Sequence, residues 1–215
     1  MRKDALIQLL ISFSLASALW VNPAADATSA EPASSASATD PRLDLASALQ
    51  AMGPHPALVD QAKVFGRLVG TWNVEYTDFS KDGRVRHRSG ELIVGWILDG
   101  RAMQDLWIVD PSFGRKEREV YTTVRYCDLK SATWPAIFID PEHASAARFT
   151  GGAVGDDRIV LDTRDFGDEE TRWSYNDIRP DAFGYREEES SDGGKTWRLT
   201  LEGRMKRRGA APSSQ

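Results

Sequence analysis

From Thr71 to Lys206 the chain is a succession of short β-rich runs with no helical stretch between them. "TWNVEYTDF" ends at Lys81-Asp82-Gly83, and "VRHRSGELIVGWIL" ends at Asp99-Gly100. "RAMQDLWIVD", "REVYTTVRYC", "TWPAIFID", "SAARFTG", "DRIVLDTRDF", "TRWSYNDI", "AFGYREEES" and "TWRLTLEGRMK" follow, separated by turn signals. Asp-Gly and Gly-Gly pairs between alternating runs mark hairpins. Consecutive strands joined by short turns make an antiparallel meander, which must be a sandwich or an up-and-down barrel. A meander of this length removes its exposed edges only by closing on itself. The expected fold is therefore mostly β: a closed antiparallel up-and-down barrel of about 8–10 strands, preceded by a short helix. Pro135 within "TWPAIF" predicts a bulge or edge position.

The remaining segments divide by composition. Arg2 and Lys3 precede the apolar run "ALIQLLISFSLASALWV", the pattern of a secretory signal peptide. Two small-x-small sites follow, Ala16-Ser17-Ala18 and Ala25-Asp26-Ala27, and cleavage is expected after Ala27. Residues 1–27 are thus read as a signal peptide and residues 28–42, rich in Ala, Ser and Pro, as a disordered tether. Residues 43–208 form the barrel domain with its N-terminal helix, and 209–215 a disordered tail. Leu43 to Met52 suits a short helix. Pro56 to Val69 suits a longer one, with Leu58, Ala62, Phe65 and Leu68 or Val69 at three- and four-residue spacing.

Composition narrows the function classes. The net charge is −5, so no global field draws in nucleic acid. The basic cluster "RMKRR" (Arg204 to Arg208) reads as a solvated strand end. No stable membrane insertion is expected once the signal is removed, and the expected location is periplasmic or secreted. The single cysteine, Cys127, can form no internal disulfide; it sits in a strand-like run and is read as a buried, inert thiol. The three histidines, His55, His87 and His143, have no metal-ligand spacing, so no metal site is expected.

"SSDGGKTW", Ser190 to Trp197, matches the S-x-D-x-G-x-T-W Asp-box familiar from sialidases and other β-propellers. A propeller needs several blades of about 40 residues, and the motif occurs once. It is read as a hairpin device: Asp192 accepts hydrogen bonds from turn amides, Gly193 and Gly194 allow positive φ, and Trp197 packs the hairpin down.

At "FGRLVGTWNVEYTDF" the chain resembles the calycin superfamily, the lipocalins and fatty-acid-binding proteins. Gly70-Thr71-Trp72 matches that superfamily's opening motif. With "GWILDGRAMQDLW" and "SSDGGKTWRL", residues from about Ala57 to Arg207 are similar to secreted bacterial calycin-like proteins of unknown function. The resemblance implies a barrel with an interior cavity and with Trp72 closing one end; it supplies no catalytic residues. In that superfamily nitrobindin holds haem with a His late in the barrel. Here the last His is His143 and the Gly-rich first strand is missing, so no cofactor is expected.

Alternation nominates Trp107, Tyr126, Trp134, Phe138, Trp173 and Tyr185 as pocket-lining. In "YREEESSD", Glu187 follows Tyr185 onto the inner face near the mouth, where Arg125 or Arg172 could pair with it. The expected function is binding of a small apolar or amphipathic molecule in the barrel interior. An enzyme on the same scaffold, a cyclase, isomerase or hydrolase using a cavity carboxylate, and a filled-barrel interaction module stay open beside it. Export predicts a mature N-terminus at Thr28. N-terminal sequencing of envelope-fraction protein checks this, and an intact Met1 in the cytosol refutes it.

Overall fold

The computed structural model describes residues 45–112 and 114–209. The expected signal peptide, the tether and the tail beyond Gly209 lie outside the described residues. Among the described residues eleven strands form one sheet: β1 Gln50–Ala51, β2 Gly70–Phe79, β3 Val85–Ile97, β4 Ala102–Val109, β5 Glu119–Tyr126 and β6 Ala136–Asp140. β7 Ser145–Ala153, β8 Ile159–Thr163, β9 Glu170–Asn176, β10 Ala182–Ser190 and β11 Arg198–Arg207 complete it. Every neighbouring pair is antiparallel. From β2 to β11 each strand pairs with the next, and β11 returns to β2 with Met205 opposite Val74. The result is a closed ten-stranded meander, a calycin-like barrel. β1 is an extra strand, paired to β3 at Ile97 and Trp96, just beyond Val94, where β2 begins its pairing at Gly70.

The expected helix over Pro56 to Val69 is broken. A 3-10 turn (Pro56–Leu58), α2 (Ala62–Phe65) and a second 3-10 turn (Gly66–Leu68) replace it, and the expected helix from Leu43 survives as α1, Leu45–Leu49. The spacing was informative about burial rather than helix length. Leu58, Ala62, Phe65 and Leu68 are all buried against the barrel end, and so short a segment takes its conformation from that packing. Phe65 stacks on Trp134, ring centroids 4.1 Å apart.

Trp72 anchors this end. It is wholly buried, and its Nε1 donates to the Leu68 carbonyl at 2.8 Å. It meets Phe183 edge to face at 4.7 Å. The Arg207 guanidinium lies 4.0 Å over its ring and donates to the carbonyls of Val69 (2.8 Å), Arg67 (3.0 Å) and Pro180. Gly70 must be glycine: its φ is +140°, and a Cβ would overlap Arg207 Nη1. The Gly-x-Trp spacing thus seats an aromatic plug and leaves room for the cation that covers it.

The Asp-box forms the β10–β11 turn. Asp192 accepts from the Lys195 and Thr196 amides, both at 2.9 Å, and from the Thr196 and Ser190 hydroxyls at 2.7 and 2.8 Å. These donors, the Thr196 amide foremost, hold its carboxyl down at about 2. Gly193 and Gly194 have φ of +73° and +83°. Trp197 donates to the Gly194 carbonyl at 3.0 Å and lies 4.0 Å beneath the Arg172 guanidinium. Cys127 is half-buried rather than buried, and burial pushes its thiol up.

Replacing Trp72 with Ala removes the plug and strands the Arg207 guanidinium. The expected loss is ~3–5 kcal/mol, as for other buried Trp truncations. Urea unfolding measures it, and a loss below ~1 kcal/mol contradicts the plug role.

Candidate functional site

The interior is layered. At the Trp72 end Leu92, Val94, Met103, Ile159, Leu161 and Met205 fill it. Above them Asp105 on β4 and Arg125 on β5 form a buried ion pair, each side chain 1% exposed. Asp105 also accepts from the Thr123 amide at 3.0 Å, and Arg125 lies 5.6 Å over the Tyr175 ring. Burial pushes the Asp105 carboxyl up against the pull of Arg125 and Thr123.

Beyond this pair, towards the mouth, the packing opens into a cavity of about 190 Å³. Tyr76 (β2), Trp107 (β4), Tyr121 (β5), Phe138 (β6), Trp173 (β9) and Tyr185 (β10) wall it. Trp107 and Tyr185 lie 5.2 Å apart, and Phe138 meets Trp173 edge to face at 5.2 Å. Phe149 supports Trp173 from below in a 3.7 Å stack. Among the described residues, three charged ones line the cavity: Arg88, Asp140 and Glu187.

Glu187 shares the inward parity of Phe183 and Tyr185, and a break in register on β11 supplies one of its hydrogen-bond partners. On β10 it lies opposite Trp173 of β9 and Leu201 of β11, while the next residue, Glu188, lies opposite Leu199. Thr200 is the extra residue of this bulge. Its hydroxyl reaches the Glu187 carbonyl at 3.0 Å and carboxyl Oε1 at 3.1 Å, and Trp173 Nε1 donates to Oε2 at 2.9 Å. Bulges commonly re-aim a side chain in this way. Burial raises the Glu187 carboxyl above the usual range; the two neutral donors pull it down, and the carboxylates of Glu189 and Asp78 push it up. Glu187 makes no ion pair among the described residues.

Arg88 is committed elsewhere. It donates to both Asp78 oxygens at 2.7 and 2.8 Å and lies 3.5 Å from Glu119. Tyr121 donates to the same Glu119, and Asp140 holds His143 Nδ1 at 2.7 Å. Tyr76 is nearly fully buried, and its hydroxyl has no hydrogen-bond partner among the described residues. Burial drives the Tyr76, Tyr121 and Tyr185 hydroxyls up, so they stay protonated.

Of the residues nominated by alternation, Trp107, Phe138, Trp173, Tyr185 and Glu187 share this cavity. Two do not. Trp134 is buried at the Trp72 end, stacked on Phe65. Tyr126 points outward, 41% exposed, because Tyr121, Thr123 and Arg125 occupy the inner parity of β5. The suggested partners of Glu187 are also corrected: Arg125 pairs with Asp105, and Arg172 lies on the outer face with Asp162 at 2.8 and 3.0 Å. Sequence reasoning missed Tyr76, Arg88, Tyr121 and Asp140. The signal was present: Tyr76 shares parity with Trp72, Arg88 with Leu92, and Asp140 with Phe138.

No protein-family model matches the sequence, and no curated protein sequence matches it either. Solved structures do. The chain is similar to Rv2717c from M. tuberculosis, with a TM-score of 0.52 and 14% identity, covering 72% of this chain and 99% of that one. It is similar to the S-type phycobiliprotein lyase CPES from Guillardia theta, with a TM-score of 0.48 and 12% identity, covering 68% of this chain and 92% of that one. A redesigned β barrel, mFAP1, bound to DFHBI, has a TM-score of 0.33 and 14% identity, covering 67% of this chain and 99% of that one. At these identities the likeness to Rv2717c is one of fold.

The raised Glu187 carboxyl has a stability consequence. The folded state holds the proton more tightly than the unfolded chain, so its contribution is full below the ordinary Glu value and is lost as pH rises through the folded titration. Glu187→Gln removes that loss. The variant should match the wild-type melting temperature at about pH 4 and exceed it at about pH 8. A melting series across that range checks this, and parallel curves contradict it.

Proposed function

We propose that this protein binds a small molecule with an apolar body and one polar group at the mouth end of its barrel, and that it does so after export, in the periplasm or outside the cell. The carrying observation is the cavity: about 190 Å³, walled by six aromatic side chains, with one carboxylate held in place by Trp173 and Thr200. An engineered apolar cavity of about 150 Å³ accepts benzene, so this one suits a body of one ring or a short chain. Mostly apolar walls with a few placed polar groups are the usual make-up of ligand pockets. The basic start and apolar run of residues 1–27 support export.

A carboxyl raised by burial in a cavity also suits acid–base chemistry. Among the described residues, however, the side chains that hydrogen-bond Glu187 are Trp173 and Thr200, which orient it and do not exchange protons with it near neutral pH. Binding is therefore the preferred reading.

Native mass spectrometry of the protein from its own host tests this, with Leu201→Trp as the comparison, since Leu201 lines the cavity and a larger side chain fills it. Wild type should carry a non-covalent mass that Leu201→Trp, still folded, lacks. Identical spectra without an adduct from a ligand-replete lysate count against the reading.

A further inference from the structure

We infer that the ligand is a small organic cation, an amine whose charged nitrogen sits on the Glu187 carboxylate while its apolar body lies against Trp107, Trp173 and Tyr185. This rests on the binding reading and deepens it.

The charges around the cavity are unequal in availability. Arg88, the lining cation, is already matched by the bidentate Asp78 and by Glu119. Asp140 accepts from the His143 amide at 3.1 Å and meets its Nδ1 at 2.7 Å, so both its oxygens are engaged. Glu187 has only neutral donors, and these occupy one position on each carboxylate oxygen. An ionised carboxylate has about four acceptor sites, so capacity remains for a donor from the ligand. A buried carboxylate without a positive partner is unfavourable, and a bound cation removes that penalty.

The walls favour the same class. Aromatic faces attract cations through their quadrupoles, most strongly where water is excluded. Tyr76 adds a further aromatic ring to the same walls. An anionic ligand would instead meet Glu187 and Asp140, with the one lining guanidinium already engaged. A neutral ligand would fill the aromatic space but leave Glu187 uncompensated.

Three probes of nearly equal size separate these cases: 2-phenylethylamine, 2-phenylethanol and phenylacetate, titrated by calorimetry into the full chain at neutral pH. The amine should bind about tenfold or more tightly than the alcohol, the factor expected for one hydrogen bond to a charged group, and phenylacetate should bind most weakly. In Glu187→Gln, verified as folded by its melting transition, the amine should fall to the level of the alcohol while the alcohol is little changed. If the alcohol or phenylacetate matches the amine in wild type, the cation preference is overturned and the binding reading stands. If none of the three binds, both are overturned. An amine preference that persists in Glu187→Gln removes Glu187 from its assigned role. The wild-type comparison decides the matter even where the variant does not fold.

Discussion

The contact on which this structure depends is the clasp between Trp72 and Arg207. β2 opens the barrel and β11 closes it, and these two residues come from the strands that must meet for a sheet to become a barrel. Arg207 covers the indole and ties down the carbonyls of Arg67, Val69 and Pro180, three points on two separate connections. Those carbonyls sit where regular pairing has ended, the Val69 oxygen part-buried and those of Arg67 and Pro180 at the exposed rim. One guanidinium therefore satisfies the loose ends at the seam and caps the plug. Gly70 makes this possible by lacking the Cβ that would occupy the space of Arg207.

With that end sealed, the interior need not be filled to the other. Packing is dense from Trp72 up to the Asp105–Arg125 pair and then relaxes. The pair marks the boundary. Its opposite charges are both inside, so removing either leaves an uncompensated buried charge, a far larger cost than the net worth of the pair. Above it the aromatic rings meet at tilted and edge-to-face angles, as Trp107 with Tyr185 and Phe138 with Trp173, leaving space between ring bodies. Trp173 itself rests on Phe149, the two rings stacked at 3.7 Å with no space between them.

Much of this was legible in the sequence because strand parity is a strict rule. Once Trp72 is inside, Val74 and Tyr76 must be, and once Trp107 is inside so are Asp105 and Val109. Errors arose where parity was assigned from side-chain type. Tyr126 and Arg125 are both expected inside, the one lining the pocket and the other facing Glu187, yet adjacent strand residues face opposite ways; β5 turns the Arg inward, where Asp105 across the sheet receives it. A partner 20 residues away on a neighbouring strand is not visible in local alternation. Trp134, nominated as pocket-lining, is buried at the Trp72 end, stacked on Phe65 away from the cavity. Parity says in or out and carries no information on height, which depends on strand stagger. The N-terminal helix failed for a related reason: its apolar spacing reported the burial of Leu58, Ala62, Phe65 and Leu68, and the packing broke the helix to achieve it.

The Asp-box and the cavity carboxylate are connected through the same hairpin. Asp192 and Ser190 gather the turn amides so that β10 ends at Ser190 and β11 restarts at Arg198. From this fixed start the strands pair Glu189 with Arg198 and Glu188 with Leu199, and the next step slips by one residue to expel Thr200. The slip has to fall near the mouth, because further along the strands Tyr185 lies opposite Gly203 and Phe183 opposite Met205, the register that closes onto β2. One residue must be absorbed between the register set by the turn and the register set by the barrel, and Thr200 is that residue. Its hydroxyl turns to the carbonyl and carboxyl of Glu187. A motif that lines no part of the cavity thus helps decide how the carboxylate that Tyr185 parity turns inward is held.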